Sequence, residues 1–249
     1  MCSKSVASSG LVLLFNYIIV NQERSVQFQD LPGRRRYDDP CGIARALDVV
    51  GERWALLVVR ELLLGPKRFT DLRAGLPGAS PNVLSQRLRE LEDAGVIERR
   101  RLDPPAGIWV YALTARGEEL EAAVLALGRW GGRAPRPAGG RLSPDAMAIA
   151  LKTTFDPAAA EGLEATFGLR LDEERFRIRV ERGQLTIERG RAPDADATLA
   201  SDTEGLRRLL HAGDRMRDAE EAGRLRITGD RRAAARFPKL FPPPAPELD

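Results

Sequence analysis

The chain has 249 residues, enough for two ordinary domains of about 100 to 150 residues each. Hydrophobic residues make up 43% and charged residues 30%, which is typical of a globular chain with a core and excludes the fibrous and disordered classes. The net charge of +3 is too small to indicate a nucleic-acid partner. Its distribution is uneven, because residues 34–137 carry 18 basic and 14 acidic side chains, whereas residues 138–249 carry 19 and 20. Only the first half is basic.

Cysteine and histidine usage limits the chemistry that the chain can perform. Two cysteines, Cys2 and Cys41, are too few for the disulfide framework of a small secreted domain, and the single His211 excludes a His-rich metal site. The sequence has no Cys-x-x-Cys, no His-Glu-x-x-His and no glycine-rich phosphate loop. We therefore expect a cytoplasmic protein that is not an enzyme, with no catalytic residue, no metal and no cofactor.

Residues 1–33 differ in composition from the rest of the chain. They contain one strongly apolar run, residues 11–20, which is too short to span a bilayer. A signal peptide is the alternative, but no small-x-small cleavage site follows the run. We predict an upstream extension or an over-long translated start, and no membrane partner.

Helical periodicity begins after Arg34. Apolar residues recur at intervals of three or four between Ile43 and Val58, and Gly51 divides this stretch into two predicted helices. Gly65-Pro66 ends the second helix, and a short helix follows from Phe69. The next helix runs from Pro81 to Ala94, with Ser80 as its N-cap.

The helix from Pro81 to Ala94 has one apolar and one polar face. Leu84, Leu88 and Leu91 lie within about 60° of one another at 100° per residue and predict a buried stripe. The opposite face carries side chains that can hydrogen-bond a base edge or a phosphate: Asn82, Gln86 and Arg89, with Ser85 on the flank. A merely solvated face is the alternative for such a helix taken alone.

A hairpin and one more helix complete this part of the chain. Residues 96–101 and 108–113 are predicted to form two strands around a Pro/Gly-rich tip. The three arginines at the hairpin base, Arg99, Arg100 and Arg101, suit phosphate or minor-groove contact better than simple solvation. Thr114 caps a helix over residues 115–130, which bears a stripe of Leu120, Val124 and Leu127.

These motifs, in this order, resemble the HxlR-type (MarR-like) bacterial transcriptional regulators. The matching stretches are residues 41–47 (CGIARAL), 51–54 (GERW), 60–62 (REL), 68–72 (RFTDL), 80–91 (SPNVLSQRLREL), 95–97 (GVI) and 111–114 (YALT). The resemblance covers roughly residues 40–131. It implies a winged helix-turn-helix domain, predicted at 34–131, that binds double-stranded operator DNA. It also implies a homodimer, in which the first and last helices of this domain form the dimer interface.

The predicted DNA-contacting set joins both elements: Ser80, Asn82, Ser85, Gln86, Arg89, Arg99, Arg100 and Arg101. Cys41 stands at a helix start after the basic run Arg34 to Arg36, where positive charge favours a reactive thiolate. In some relatives a cysteine at this place senses oxidants or electrophiles, which makes Cys41 a candidate redox sensor. The alternative is a half-buried packing residue.

A second domain is predicted beyond a Gly/Pro/Arg-rich linker at 132–142. Residues 143–249 contain a helix at 144–152, strands at 165–171, 175–181, 184–188 and 197–200, helices at 202–211 and 214–221, a strand at 225–227 and a closing helix at 231–241. Arginines alternate with apolar residues along 175–181, and nearby glutamates favour cross-strand ion pairs. The fold class is α+β in two domains, a winged helix-turn-helix followed by a small antiparallel-sheet domain covered by helices.

Residues 145–241 resemble a sterol-carrier-protein type domain. The resemblance depends on Ala197-Thr198-Leu199-Ala200-Ser201 leading into a leucine-rich helix, and on residues 225–230 (LRITGD). It implies an apolar cavity under the sheet and a hydrophobic effector. The expected pocket residues are Phe176, Ile178, Leu199, Phe237, Leu240 and Phe241.

The sequence thus predicts a dimeric, DNA-binding transcriptional regulator modulated by a hydrophobic ligand or by thiol redox state. The alternative is a carrier of hydrophobic ligands or lipids with an auxiliary DNA-binding domain.

Overall fold

The computed structural model describes residues 36–134 and 140–243. The predicted extension at 1–33, Cys2 and residues 135–139 of the predicted linker lie outside the described residues. Contacts divide the chain into two units, Met1–Asp48 and Val49–Asp249.

The described part of the first unit leads into a helix, α1, at Gly42–Val50. Asp39 Oδ1 accepts a hydrogen bond from the Cys41 amide at 2.8 Å, and Asp48 Oδ1 accepts one from the Tyr37 amide at 3.0 Å. The division that Gly51 predicts between the first two helices is confirmed, since the next helix begins at Ala55.

The second unit begins with a winged helix-turn-helix. Its elements are α2 (Ala55–Leu62), α3 (Phe69–Gly75), α4 (Pro81–Asp93), β1 (Ile97–Arg101), β2 (Trp109–Leu113), α5 (Ala115–Glu118) and α6 (Glu121–Gly131). Strands β1 and β2 are antiparallel, with Ile97 opposite Leu113 and Arg101 opposite Trp109. Lys67 adds a single bridge to Tyr111 on the outer side of β2, so the wing is attached to the loop before α3.

The prediction of one continuous helix over residues 115–130 is wrong, because the structure divides this stretch into α5 and α6. At the break the Leu120 amide donates to the Gly117 carbonyl three residues back, which tightens the last turn of α5. Gly117 also lies so close to β1 that an added Cβ would stand 2.1 Å from the Val96 carbonyl oxygen. This backbone contact fixes α5 against the residue that precedes β1, and α6 begins at Glu121.

The C-terminal part is a five-stranded sheet with helices. Its elements are α7 (Pro144–Thr154), β3 (Ala165–Leu171), β4 (Glu174–Glu181), β5 (Gln184–Arg189), β6 (Ala197–Ser201), α8 (Thr203–His211), α9 (Met216–Glu221), β7 (Leu225–Gly229), α10 (Arg231–Arg236) and a 3₁₀ turn at Phe237–Leu240. The strand order is β5-β4-β3-β6-β7. The α+β class is confirmed. Within the sheet, β3 and β6 pair in parallel, while the other three pairs are antiparallel.

One face of this sheet is covered by helices and forms the core. Phe167 of β3 lies edge-on to Phe237 at 5.2 Å between ring centroids, and Phe237 lies 5.0 Å from Phe241. The predicted closing helix at 231–241 is α-helical only to Arg236, because Pro238 lacks the amide that an α-helix would use, and a 3₁₀ turn completes it. The opposite face of the sheet, on the alternate residues of each strand, is polar and rich in arginine.

Candidate functional site

Helix α4 presents the predicted polar face to solvent. Ser80 caps it, since its hydroxyl accepts a hydrogen bond from the Val83 amide at 3.3 Å, and Pro81 occupies the first helical position. The predicted stripe of Leu84, Leu88 and Leu91 is confirmed as buried.

The predicted contact residues of α4 differ in solvent exposure and in their side-chain hydrogen bonds. Ser80, Asn82, Gln86 and Arg89 are exposed and Ser85 is half-buried. Gln86 Nε2 donates to Glu90 Oε1 at 3.0 Å, one turn further along the helix. Within the described part of the chain, Arg89 makes no ion pair and its guanidinium is available to a partner. Arg89 is therefore the side chain of α4 best placed to meet a phosphate or a guanine edge.

Sequence reasoning missed Arg87, which is largely buried and organises this face. Its guanidinium pairs with Glu90, and it lies 3.9 Å from Glu52 Oε2. Glu90 thereby holds both Arg87 and Gln86, which fixes the Gln86 amide along the helix. The i,i+3 and i,i+4 spacing of Arg87, Gln86 and Glu90 is a signal that could have identified the group.

The three predicted arginines of the wing have separate neighbours. The Arg99 guanidinium stacks over the Trp109 ring at 4.9 Å from its centroid, and Arg101 Nε donates to the Gly107 carbonyl at 2.8 Å. Arg100 Nε lies 3.4 Å from Glu98 Oε1. Arg99 and Arg101 share one face of β1. Arg99 is held by the Trp109 ring and Arg101 by the Gly107 carbonyl, and each guanidinium keeps N–H donors free for a phosphate.

A buried ion cluster connects the winged helix to the C-terminal part. We use this term for Glu61, Lys67, Asp145 and Arg189. Lys67 Nζ lies 2.6 Å from Glu61 Oε2 and 2.7 Å from Asp145 Oδ2, and Arg189 pairs with the other oxygen of Asp145. Two carboxylates and two cations balance, which a buried cluster requires because an unpaired charge there is costly.

Further hydrogen bonds complete the ion cluster. Glu61 Oε1 accepts from Ser143 Oγ at 2.7 Å and from Arg60 at 2.9 Å. Gly75 leaves room for this carboxylate, since an added Cβ would stand 2.3 Å from Glu61 Oε2. Lys67 is also the residue whose backbone pairs with Tyr111 of the wing, so the C-terminal part is bonded to the element that carries the wing.

Cys41 is an exposed free thiol directly before α1. Its carbonyl accepts the Arg45 amide at 3.0 Å, so it forms the N-terminal boundary of the helix. The exposure favours accessibility to a reagent over the packing alternative.

The six predicted pocket residues come together in the core of the C-terminal part. Phe176, Ile178, Leu199, Phe237, Leu240 and Phe241 are all at most 1% exposed. They pack on one another and on Phe167, so a ligand among them would have to displace these contacts. The pocket at these residues stays a prediction.

One carboxylate in the first turn of α3 and one beyond α8 have shifted pKa values. A side-chain hydrogen bond from Arg68 lowers the pKa of Asp71 below its usual 3.8, and burial opposes this only partly. A hydrogen bond from Arg208 likewise lowers the pKa of Asp214.

No helix among the described residues is long and apolar enough to cross a membrane. Within the same residues, no group of three or more His, Cys, Asp or Glu could hold a metal ion.

Comparison with family models divides the chain near residue 140. A model described as HxlR-like helix-turn-helix matches residues 49–137, and a model described as alkyl sulfatase C-terminal matches residues 140–247. The second match names alkyl sulfatases, and the resemblance to sterol carrier proteins stays a prediction.

Individual proteins are similar to the winged-helix part. The HTH-type transcriptional regulator YvaP of Bacillus subtilis is 37% identical over 86 residues, which is 34% of this chain and 80% of YvaP. The HTH-type transcriptional regulator Mb3122 of Mycobacterium bovis is 41% identical over 98 residues, 39% of this chain. The chain covers 61% of that relative's length. Among solved structures, quinone-bound YodB from B. subtilis has a TM-score of 0.32 and 31% identity over 36% of this chain and 93% of that chain.

Proposed function

The chain belongs to the HxlR-like helix-turn-helix family, and from this premise we propose that it is a transcriptional regulator that binds operator DNA. Helix α4 enters the major groove, and the wing arginines contact the flanking phosphates or the minor groove. The proposal places the protein in the cytoplasm and assigns it no enzymatic activity, no metal and no cofactor.

The observation that carries this proposal is the polar face of α4 beside an arginine-bearing wing. Asn82 and Arg89 are exposed, and the buried leucine stripe on the opposite side fixes the orientation of the helix. Arg99 and Arg101 lie toward the tip of the wing and not at its base, because Arg101 opposite Trp109 is the last residue pair before the loop. Both keep guanidinium donors free. A bidentate arginine reads guanine O6 and N7, while backbone contacts set register and affinity.

We propose that the active form is a homodimer. Large apolar side chains are exposed on two helices, Ile43 (72%) on α1 and Leu127 (50%) and Trp130 (71%) on α6. The stripe predicted at Leu120, Val124 and Leu127 is buried only in part, which suits a helix that packs against a second copy. A two-fold dimer places its two copies of α4 about 34 Å apart, which is one turn of DNA.

The C-terminal part is proposed to act as the effector domain. The dimer would have two states that differ in the spacing of its two α4 helices, and a hydrophobic ligand or oxidation of Cys41 would favour one of them. The affinity for DNA would change only to the extent that the two states bind the effector differently. The ion cluster supports this coupling, because Lys67, whose backbone pairs with the wing, is bonded to Asp145, and Asp145 is in turn bonded to Arg189.

A carrier of hydrophobic ligands with an auxiliary DNA-binding domain is the second candidate. It is favoured by the match of residues 140–247 to the alkyl sulfatase C-terminal model and by the cluster of aromatic rings around Phe237. Saturable, sequence-specific DNA binding separates the two, since only the regulator requires it.

The test is a comparison of variants on a selected operator by fluorescence anisotropy at fixed salt. Arg89→Ala and Gln86→Ala lose base contacts, so each should weaken specific binding by about 1 to 3 kcal/mol, roughly 5- to 150-fold. Arg217→Ala removes another exposed arginine, on α9, and should bind as the wild type does. Unchanged affinity in both α4 variants would refute the assignment of this face.

A further inference from the structure

The face of the C-terminal sheet opposite the helices contains a concave pocket of about 220 Å³. Its floor is formed by short residues: Gly168, Thr198, Ala200 and Thr228. Its rim is formed by four arginines: Arg170, Arg175, Arg191 and Arg226. No aspartate or glutamate is among the lining residues. We call this the outer-face pocket.

Strand register explains why the arginines surround a low floor. One row of residues crosses four strands. Arg175 of β4 is directly opposite Arg170 of β3, and Arg170 is the neighbour of Ala200 on β6. Ala200 is in turn opposite Arg226 of β7. Arg170 and Arg226 therefore flank the short Ala200 at two strand spacings, roughly 10 Å. In the next row Gly168 adjoins Thr198, and an added Cβ on the glycine would stand 2.5 Å from Thr198 Oγ1.

The arginines of the outer-face pocket lack acidic partners. Arg170 Nε donates to the Asp172 carbonyl at 3.2 Å, but among the described residues no carboxylate forms an ion pair with any of the four. Elsewhere in this sheet Arg177 pairs with Asp194 and Arg189 pairs with Glu174. Among the alternating arginines of 175–181, Arg177 thus has an acidic partner, whereas Arg175 at this pocket has no ion pair among the described residues. Like charges directly opposite, as in Arg170 and Arg175, are destabilising.

We propose that the outer-face pocket binds a small organic anion that has a flat apolar body. A carboxylate, sulfonate or phosphate would accept the charge-assisted hydrogen bonds of two or more arginines, whose planar donor sets match such groups. The apolar part would rest on the floor at Gly168 and Ala200, with the Thr198 and Thr228 hydroxyls beside it. This site goes beyond the proposed function, and it lies across the sheet from the predicted hydrophobic pocket.

A small anion fits the outer-face pocket better than a nucleic acid. The pocket is concave and has the volume of a small molecule, whereas a DNA backbone requires an extended basic surface. Residues 138–249 carry 19 basic and 20 acidic side chains, so this part of the chain has no excess of positive charge for a long polyanion. A long polyanion would meet the surrounding carboxylates.

The test uses the full chain and two matched fluorescent probes. The probe 1-anilinonaphthalene-8-sulfonate carries an anionic group, and N-phenyl-1-naphthylamine has the same rings without it. The sulfonate should bind at one site, and Arg175→Gln and Arg226→Gln should each weaken it about tenfold or more. Ala200→Phe should abolish binding by filling the floor. Arg179→Gln, on the same face of β4 but outside the pocket, should bind within about twofold of the wild type.

Competition identifies the anionic group and tests the alternative. Benzoate, which joins a carboxylate to a flat ring, should displace the sulfonate more strongly than inorganic phosphate, which has no apolar body; the reverse order would refute the apolar part of the site. Equal affinity of the sulfonate for the wild type and for both arginine variants, with circular dichroism unchanged, would overturn the proposal. So would equal loss of both probes in those variants, or displacement by random double-stranded DNA from an Arg89→Ala background. None of these results depends on operator recognition.

Discussion

Replacing Lys67 by methionine tests the ion cluster that bonds the winged helix to the C-terminal part. Lys67 Nζ lies 2.6 Å from Glu61 Oε2 and 2.7 Å from Asp145 Oδ2, and the side chains of both carboxylates are at most 3% exposed. Removing one partner of a buried pair costs about 3 to 5 kcal/mol. Asp145 keeps Arg189, and Glu61 keeps Arg60 and the Ser143 hydroxyl, so we expect the lower end, about 3 kcal/mol.

Urea unfolding followed by circular dichroism and by tryptophan fluorescence measures this loss. The midpoint should fall by about 1 M for a chain of this size. Lys239→Met is the control, because Lys239 is exposed and its replacement should change stability by less than about 0.5 kcal/mol. Adding Glu61→Gln to Lys67→Met should recover part of the loss, since it removes the buried carboxylate oxygen that lost Lys67, although Arg60 then loses its partner. A loss below about 1 kcal/mol in Lys67→Met would show that the cluster does not connect the two parts as described.

Three further predictions concern the thiol, an acid-sensitive carboxylate and the dimer. A quinone should release operator DNA from the wild type but not from Cys41→Ser; an equal response in both proteins would leave Cys41 without a sensing role. Arg68 lowers the pKa of Asp71 in the folded state, so the stabilisation from this carboxylate is present above its ordinary pKa of 3.8 and is lost as the pH falls through the folded-state pKa. The difference in unfolding free energy between the wild type and Asp71→Asn should therefore shrink from pH 6 to pH 2, and a constant difference would contradict this. Trp130→Glu should sediment as a monomer at concentrations where Leu142→Glu, an exposed apolar control outside α6, remains dimeric; two identical profiles would exclude α6 from the interface.

Local chemistry made most of the elements predictable from the sequence. Glycine and proline mark the ends of α2 and α4, and Ser80 caps α4 as expected. The strict alternation along β4 identified its buried face. These features depend on residues within a few positions of one another.

Features made by distant residues could not be predicted. The parallel pairing of β3 with β6 depends on the order of the strands in space, which alternation does not encode. Asp145 and Lys67 are 78 positions apart, and neither shows a local signal of its partner. The break before α6 arises where Gly117 meets Val96. The outer-face pocket likewise follows from register, which brings arginines of separate strands into one row.

The most direct test of the central claim is a selection of genomic DNA fragments by the purified full chain, followed by titration of the best fragment and of a random duplex at the same salt. The account predicts saturable binding to a pseudo-palindromic site, with half-sites about 10 base pairs apart and a preference of 10³-fold or more over the random duplex. Equal affinity for all sequences would contradict it, because helix α4 would then contact the backbone without reading bases.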